Sequence, residues 1–266
     1  MKPLLSACFV LVLFACATSP TGRSQLTIFP DSQMAQMGAA TFTTMQKSQK
    51  VDTSPRNTAY VNCVVNALIP ELNAIAPAMR STQWEVKVFA DDSPNAFALP
   101  GGKVGVHTGM LKVAQNQHQL ASVIGHEIGH VWAKHSNERV SQGFVTQTGM
   151  QLATVAAGDM TSEKQQLLGL LGVGAQVGVL LPFSRKHESE ADEIGLELMA
   201  RAGFDPRQSV ELWKNMQKAG GSATPEFLST HPGTDSRIRD LNARMDRAMK
   251  IYQQAQASGK RPNCRL

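Results

Sequence analysis

One stretch constrains this chain more than any other: VIGHEIGHVWAKH, residues 123–135, which holds three of the seven histidines. The apolar residues Val123, Ile124, Ile128, Val131 and Trp132 surround two histidines four positions apart. Helical periodicity puts His126 and His130 on one face, one turn apart, about 40° round the axis from each other. Two imidazoles so placed can both reach a single Zn²⁺ at about 2.0–2.1 Å. Glu127 lies roughly 100° further round, where it can stand beside a metal without binding it and take a proton from a zinc-bound water. Free charge in so apolar a helix would be costly to bury, which favours the metal reading over a solvated His–Glu pair. Gly125 and Gly129 each cost a helix up to about 1 kcal/mol against Ala. Their presence predicts a second element packed too close to this helix for a Cβ.

A catalytic zinc takes three protein ligands and keeps a fourth position open. One source of the third ligand is a histidine six residues after the second, with glycine midway. Ser136 and Ala133 hold those positions here, and His135 falls one short. The other source is a carboxylate from a later helix. Residues 184–200, SRKHESEADEIGLELMA, supply it in a helix dense in acids and followed by a stop at Gly203. Glu188 and Asp192 share a face, so one can bind metal while the other accepts the outer N–H of a ligand histidine. Spacing alone does not choose Glu188 over Glu190. For Glu190, Glu193 and Glu197 the expectation is a solvated helix face, and for His187 a place near the site but off the metal.

Away from this constellation, 266 residues with 42% hydrophobic and 18% charged content read as globular and helix-rich. The net charge of +5 is dispersed and marks no nucleic-acid footprint, so nucleic acid is not an expected partner. The N-terminal MKPLLSACFVLVLFACATSP has one Lys, an apolar run from Leu4 to Phe14 and then small residues, the layout of a secretory signal. Leu13-Phe14-Ala15-Cys16 resembles a bacterial lipobox. Residues 1–15 are then a lipoprotein signal peptide, Cys16 is the lipidated first residue, and residues 16–30 are a flexible lipidated tether. Ala17 rather than Asp after the cysteine points to the periplasmic face of the outer membrane of a Gram-negative bacterium. Cys8 leaves with the signal, so Cys63 and Cys264 remain as a pair able to form a disulfide in an oxidising periplasm.

Residues 31–266 form the expected domain. Helices are predicted from Asp31, after Pro55 with Tyr60, Val64, Leu68 and Leu72 in register, and over 120–135, 184–202, 206–219 and 235–254. A variable block covers 142–181. Within it LLGLLGVGAQVGVLL, residues 167–181, is short of the roughly 20 apolar residues of a membrane span and reads as a closely packed helix. The period changes to two in WEVKVFA and in NAFALPGGKVGVHTG, a strand, a Gly-Gly turn and a strand. The fold class is therefore α+β, mostly helical, with a small three- to four-stranded sheet. Asn95, Ala96, Phe97, Ala98 and Leu99 form its natural edge, where a peptide can lie as an added strand.

HEIGH, then ESEAD, then STHP at residues 229–232 together resemble the HtpX/CAAX-prenyl-protease type of zinc metallopeptidase, a gluzincin family with a zincin-like fold. The periplasmic lipoprotein branch of that family is the best match. CATSPTGRSQL and NAFALPGGKVGVHTGML are similar to the same branch, so the likeness runs from Cys16 to about Arg239. The resemblance implies one Zn²⁺ per chain held by His126, His130 and Glu188, with Asp192 supporting a ligand histidine and Glu127 as the catalytic base. By the same analogy His231 reaches the zinc site, where it either occupies the fourth position at rest or stabilises the oxyanion. Arg237 and Arg239 are expected to anchor its loop or to help the site. The implied function is zinc-dependent endopeptidase action on unfolded or misassembled envelope proteins, with the outer-membrane assembly machinery as a further partner. An assembly factor or chaperone with latent proteolysis is the alternative. Peptidoglycan hydrolysis is weaker, because zinc sites of that kind use other ligand spacings.

Overall fold

In the computed structural model, which describes residues 16–156, 183–219, 226–232 and 234–266, the first element is a hairpin. Strand β1 (Cys16–Thr18) pairs antiparallel with β2 (Ser24–Leu26). The Ser19 N–H donates to Arg23 O at 2.8 Å, and Gly22, at φ +89°, closes the turn with a 2.9 Å bond to Ser19 O. The flexible tether expected over residues 16–30 is corrected here. Its polar residues satisfy one another and the body of the protein, so residues 16–26 fold instead of trailing.

Helix α1 (Asp31–Ser48) follows, then α2 (Pro55–Ile75), which starts where the sequence predicts. Ser54 caps α2 by accepting the Asn57 N–H at 3.3 Å, and Pro55 takes the first helical position, where no N–H is missed. The four-residue spacing buries Tyr60, Val64, Leu68 and Leu72 along one side, joined by Val61 and Val65. Cys63, on the same helix, is disulfide-bonded to Cys264. The C-terminal tail is thereby tied to α2 across 201 residues of sequence.

A 3₁₀ turn (Pro77–Ser81) leads into the sheet, whose order is β3 (Glu85–Phe89), β5 (Lys103–His107), β4 (Ala96–Leu99). Strand β5 runs parallel to β3 and antiparallel to β4. This gives three strands here and a separate two-stranded hairpin at the N-terminus. Gly101 and Gly102, at φ +82° and +80°, make the turn between β4 and β5, a conformation only glycine adopts cheaply. Alternation sends Val88, Ala96, Ala98, Val104 and Val106 into the main core with α2 and the helices beyond. Phe89 and Leu99, with Phe97 against them, face the other way and pack on Phe42 of α1.

The remaining elements are helical: α3 (Thr108–Val113), α4 (Gln117–Trp132), α5 (His135–Ala156), α6 (Arg185–Arg201), α7 (Gln208–Ala219), α8 (Glu226–Thr230) and α9 (Thr234–Ala257). The Asn116 side chain caps α4, accepting the His118 and Gln119 N–H groups at 3.0 Å each. The single helix expected over 120–135 is corrected to two. Helix α4 stops at Trp132, Lys134 takes a left-handed φ of 54°, and His135 opens α5. Among the described residues no helix is long and apolar enough to cross a membrane. The LLGLLGVGAQVGVLL segment at 167–181 lies outside the described residues.

Candidate metal centre

Glycines set the spacing on which the centre depends. Helices α4 and α6 pack with 125 against 195 and 129 against 191, an antiparallel register. A Cβ on Gly125 would stand 3.1 Å from Gly195 O, one on Gly129 3.0 Å from Ala191 O, and one on Gly195 only 2.7 Å from His126 N. The two backbones touch, as Gly125 and Gly129 predict. The N-terminal turn of α6, capped by Ser184 on the His187 N–H at 3.2 Å, thus lies against the histidine face of α4.

Four side chains converge there: His126, His130, Glu188 and His231, all buried, with one donor atom from each lying within 4.8 Å of the others. His126 Nε2 is 3.0 Å from His130 Nε2 and 3.4 Å from Glu188 Oε2. His130 Nε2 is 3.3 Å from Glu188 Oε1. His231 Nδ1 is 3.0 Å from Glu188 Oε1 and 3.2 Å from His126 Nε2. Ligands about 2.0–2.1 Å from a tetrahedral zinc stand roughly 3.3 Å apart, so these separations suit that ion.

The outer nitrogens sharpen the case. His126 Nδ1 lies 3.0 Å from Asp192 Oδ1, and His130 Nδ1 lies 2.9 Å from His135 Nδ1. Asp192 and Arg237 Nη2, the latter 2.9 Å from His126 Nδ1, support the outer side of this ring and leave its Nε2 facing the cluster. Burial holds the His130 imidazole well below its usual pKa, which favours the neutral form a metal ligand needs. His126 Nε2 and His130 Nε2, 3.0 Å apart, can both present a lone pair to this point only with a cation between them. The donor set therefore fits a divalent metal of the zinc type: imidazole nitrogens with a carboxylate.

Arg237 of α9 binds the two acids together. Its Nη1 donates to Glu188 Oε2 at 2.5 Å, while Nε and Nη2 donate to Asp192 Oδ2 and Oδ1 at 2.7 and 2.6 Å. Its guanidinium carbon lies 3.7 Å above the Trp213 ring centroid. Burial alone would push the Glu188 carboxyl up, but His231, Arg237 and His126 hold it well below the usual carboxylate range. Asp192 is also lowered, against its burial, chiefly by Arg237. Both acids stay ionised, as a ligand and its partner require.

Glu127 stands beside the donors. Its Oε2 accepts the Ala98 N–H at 3.1 Å, while Oε1 has no hydrogen-bond partner among the described residues and lies 3.5 Å from His231 Nε2. Burial pushes its carboxyl up to about 7, a range suited to taking and returning a proton near neutrality. Strand β4 is the sheet edge, as expected for residues 95–99. The Asn95 carbonyl accepts from the His107 N–H, so the ladder engages Asn95, Phe97 and Leu99 and turns the peptide groups of Ala96 and Ala98 outward. The Ala98 N–H is taken by Glu127, which leaves the Ala98 carbonyl and the Ala96 peptide groups facing outward.

The structure brings together His126, His130, Glu188, Asp192, Glu127 and His231. Of the acids taken as a solvated face it corrects Glu190, while Glu193 and Glu197 remain partly exposed. Glu190 is buried and bonded to Thr21, Arg23 and His135. Glu193 and Glu197 pair with Arg244 and with Arg201 and Arg247. His187 is off the donor cluster, bonded to Glu138 at 3.1 Å. Sequence reasoning did not separate the roles of Arg237 and Arg239; only Arg237 bonds to these acids. It missed the aromatic walls, in which Phe183 lies 3.9 Å from the His130 ring and Phe227 stacks on His231 at 4.4 Å. Phe227, four before His231, was a helical-spacing signal for that stack.

A family profile described as Peptidase family M48 matches residues 55–245. The mitochondrial metalloendopeptidase OMA1 of Schizosaccharomyces pombe is 39% identical over 186 residues, covering 69% of this chain and 52% of the relative. The beta-barrel assembly-enhancing protease of Yersinia pestis is 32% identical over 226 residues, 82% of this chain and 46% of the relative. That of Escherichia coli is 29% identical over 231 residues, 84% of this chain and 46% of the relative. The chain spans about half the length of these curated relatives.

Proposed function

This chain belongs to peptidase family M48, and from that premise we propose that it is a zinc-dependent endopeptidase of the bacterial cell envelope, cutting unfolded or misassembled proteins. The observation that carries the reading is the convergence of His126 Nε2, His130 Nε2 and Glu188 on one point, with the unpartnered Oε1 of Glu127 beside it. In this reading His126, His130 and Glu188 hold the zinc and Asp192 orients His126. The chemistry zinc supplies in such a site is polarisation of a carbonyl and activation of a water. Glu127 takes a proton at Oε1 and returns it to the leaving amine. The outward peptide groups of Ala96, with the Ala98 carbonyl, hold the substrate as an added strand and set its scissile bond beside Glu127. Phe183 and Phe227 supply apolar faces against His130 and His231.

Placement in the envelope, with a lipid on Cys16, rests on the lipobox-like LFAC and on the relatives whose names tie them to beta-barrel assembly. The Cys63–Cys264 bridge suits an oxidising compartment. The OMA1-named relatives share the metalloendopeptidase description and are mitochondrial by name. A second reading, an assembly factor with latent proteolysis, draws on His231. Its Nδ1 sits among the donors, so in this reading it fills the fourth position at rest and must swing away before a substrate enters. The test is hydrolysis of casein by wild type and Glu127→Gln, with and without chelator. Loss of about 10²–10⁴-fold in the variant with zinc retained supports the peptidase. Equal activity in both contradicts it.

A further inference from the structure

Beyond the donor cluster, a chain of polar side chains, buried at His135 and Glu190, runs from His130 to the N-terminal hairpin. It begins at the outer nitrogen, His130 Nδ1, 2.9 Å from His135 Nδ1. His135 Nε2 lies 3.0 Å from Glu190 Oε2. Glu190 in turn accepts Thr21 Oγ1–H at 2.6 Å on Oε1 and Arg23 Nε–H at 2.9 Å on Oε2. Arg23 uses its other two nitrogens on Glu138, Nη1 to Oε1 at 2.8 Å and Nη2 to Oε2 at 2.7 Å. Gln25 of the same hairpin donates to Ala133 O at 2.8 Å, the carbonyl left free where α4 breaks and turns into His135. His135 is fully buried, and Glu190 and Glu138 are nearly so.

Proton counting fixes the direction of this chain. When His130 offers its Nε2 lone pair inward, its only proton is on Nδ1 and is donated to His135 Nδ1. His135 then carries its own proton on Nε2 and donates it to the Glu190 carboxylate. Glu190 needs two oxygens that only accept, and Thr21 and Arg23 supply the donors that hold them in place. His126 reaches a carboxylate directly, through Asp192. His130 reaches one through an intervening histidine, and that carboxylate is held by the hairpin.

We infer that the β1–β2 hairpin is part of the metal centre's support: Thr21 and Arg23 fix Glu190, Glu190 fixes His135, and His135 fixes the tautomer and ring orientation of His130. These four are positioning residues, since none reaches the donor point itself. The chemistry they serve is retention of a divalent metal. Because β1 starts at Cys16, the hairpin also places the proposed lipid site and this support within one short element. The inference rests on the zinc reading above.

The test is metal affinity, measured on apo-protein by competition of Zn²⁺ against a chromophoric chelator, with the visible spectrum of Co²⁺ as a report on ligand geometry. Removing an outer-shell partner of a ligand histidine costs about 10–100-fold in affinity. Arg23→Ala and His135→Phe are each expected to weaken zinc by that factor and to shift the Co²⁺ bands. Because both act through one chain, the double variant is expected to lose little more than the worse single one. Cys63→Ser supplies the baseline for general loosening: it removes a distant crosslink, and its zinc affinity is expected to match wild type. Thr21→Val, which deletes one hydroxyl, is the milder probe if Arg23→Ala does not fold, with a smaller loss in the same direction. Zinc affinity in folded Arg23→Ala or Thr21→Val no weaker than in Cys63→Ser overturns the inference. So do additive losses in the double variant. Failure of wild type to bind zinc in stoichiometric amount overturns the metal reading itself, which keeps the two outcomes apart.

Discussion

Gly195→Ala puts the helix contact under the metal centre to a quantitative test. The added Cβ would meet three backbone atoms of α4: His126 N at 2.7 Å, and Gly125 C and His126 Cα at 2.9 Å each. Backbone cannot rotate out of the way. Reaching the ordinary contact distance of 3.4 Å requires the helices to part by about 0.7 Å. That movement separates Glu188 from His126 and His130, since one ligand rides on α6 and two on α4. Overpacking of this size costs about 1–3 kcal/mol, while Ala in place of Gly returns up to about 1 kcal/mol of helix propensity. The net loss of stability is therefore small, roughly 0–2 kcal/mol. The functional loss is larger, because misplacement approaching 1 Å costs about 10²-fold in rate. Thermal unfolding of apo-protein, zinc competition and casein hydrolysis together separate the two effects. Gly125→Ala and Gly129→Ala, with clearances of 3.1 and 3.0 Å, are expected to lose less than Gly195→Ala. A Gly195→Ala protein with wild-type zinc affinity and activity would refute the argument that helix spacing sets the centre.

Reducing the Cys63–Cys264 bond, or Cys63→Ser, is expected to lower stability by about 2–5 kcal/mol, read as a shift in denaturant midpoint, because the bond closes a loop of 201 residues. An unchanged midpoint would contradict this. Acid provides a second check. The Glu190 carboxyl is held far below its usual range: burial alone would raise it, but His135 and the hairpin's Ser19, Thr21 and Arg23 together overcome that. Glu138 is lowered against its burial by Arg23 and His187. Folded values below the unfolded ones, near 4.3, mean stability that is full above that pH and is lost as pH falls toward the folded values. The stability gap between wild type and Arg23→Ala is expected to narrow as pH falls below about 4. Denaturation at a series of pH values measures it, and a gap that stays level down to pH 3 would count against the network.

The parts of this fold that sequence made legible are those governed by short-range periodicity. The alternation in EVKVF and AFAL and the glycine turn at Gly101 and Gly102 give the sheet strands, and the four-residue spacing from Tyr60 to Leu72 gives the buried side of α2. The parallel pairing of β3 with β5 is long-range and leaves no such mark. At the centre, His126, His130, Glu127 and the choice of an acid from α6 follow from spacing or motif. Glu190 was misjudged because an acid among acids on a helix looks solvated until its partner is known. That partner, Arg23, is 167 residues away in what reads as a linker. The break at Lys134 was missed for a related reason. Lysine carries no left-handed signal, and the Ala133 carbonyl at the turn is bonded by Gln25, a residue 108 positions away in the hairpin.

The central claim is that α4 and α6 together hold one divalent ion through His126, His130 and Glu188. Metal content at saturating zinc, measured by mass spectrometry on wild type, Glu188→Ala and Glu190→Ala, tests it most directly. One zinc per wild-type chain is expected, with its loss in Glu188→Ala and a full complement, more weakly held, in Glu190→Ala. Zinc retained at full stoichiometry by Glu188→Ala and lost from Glu190→Ala would contradict Glu188 as the ligand.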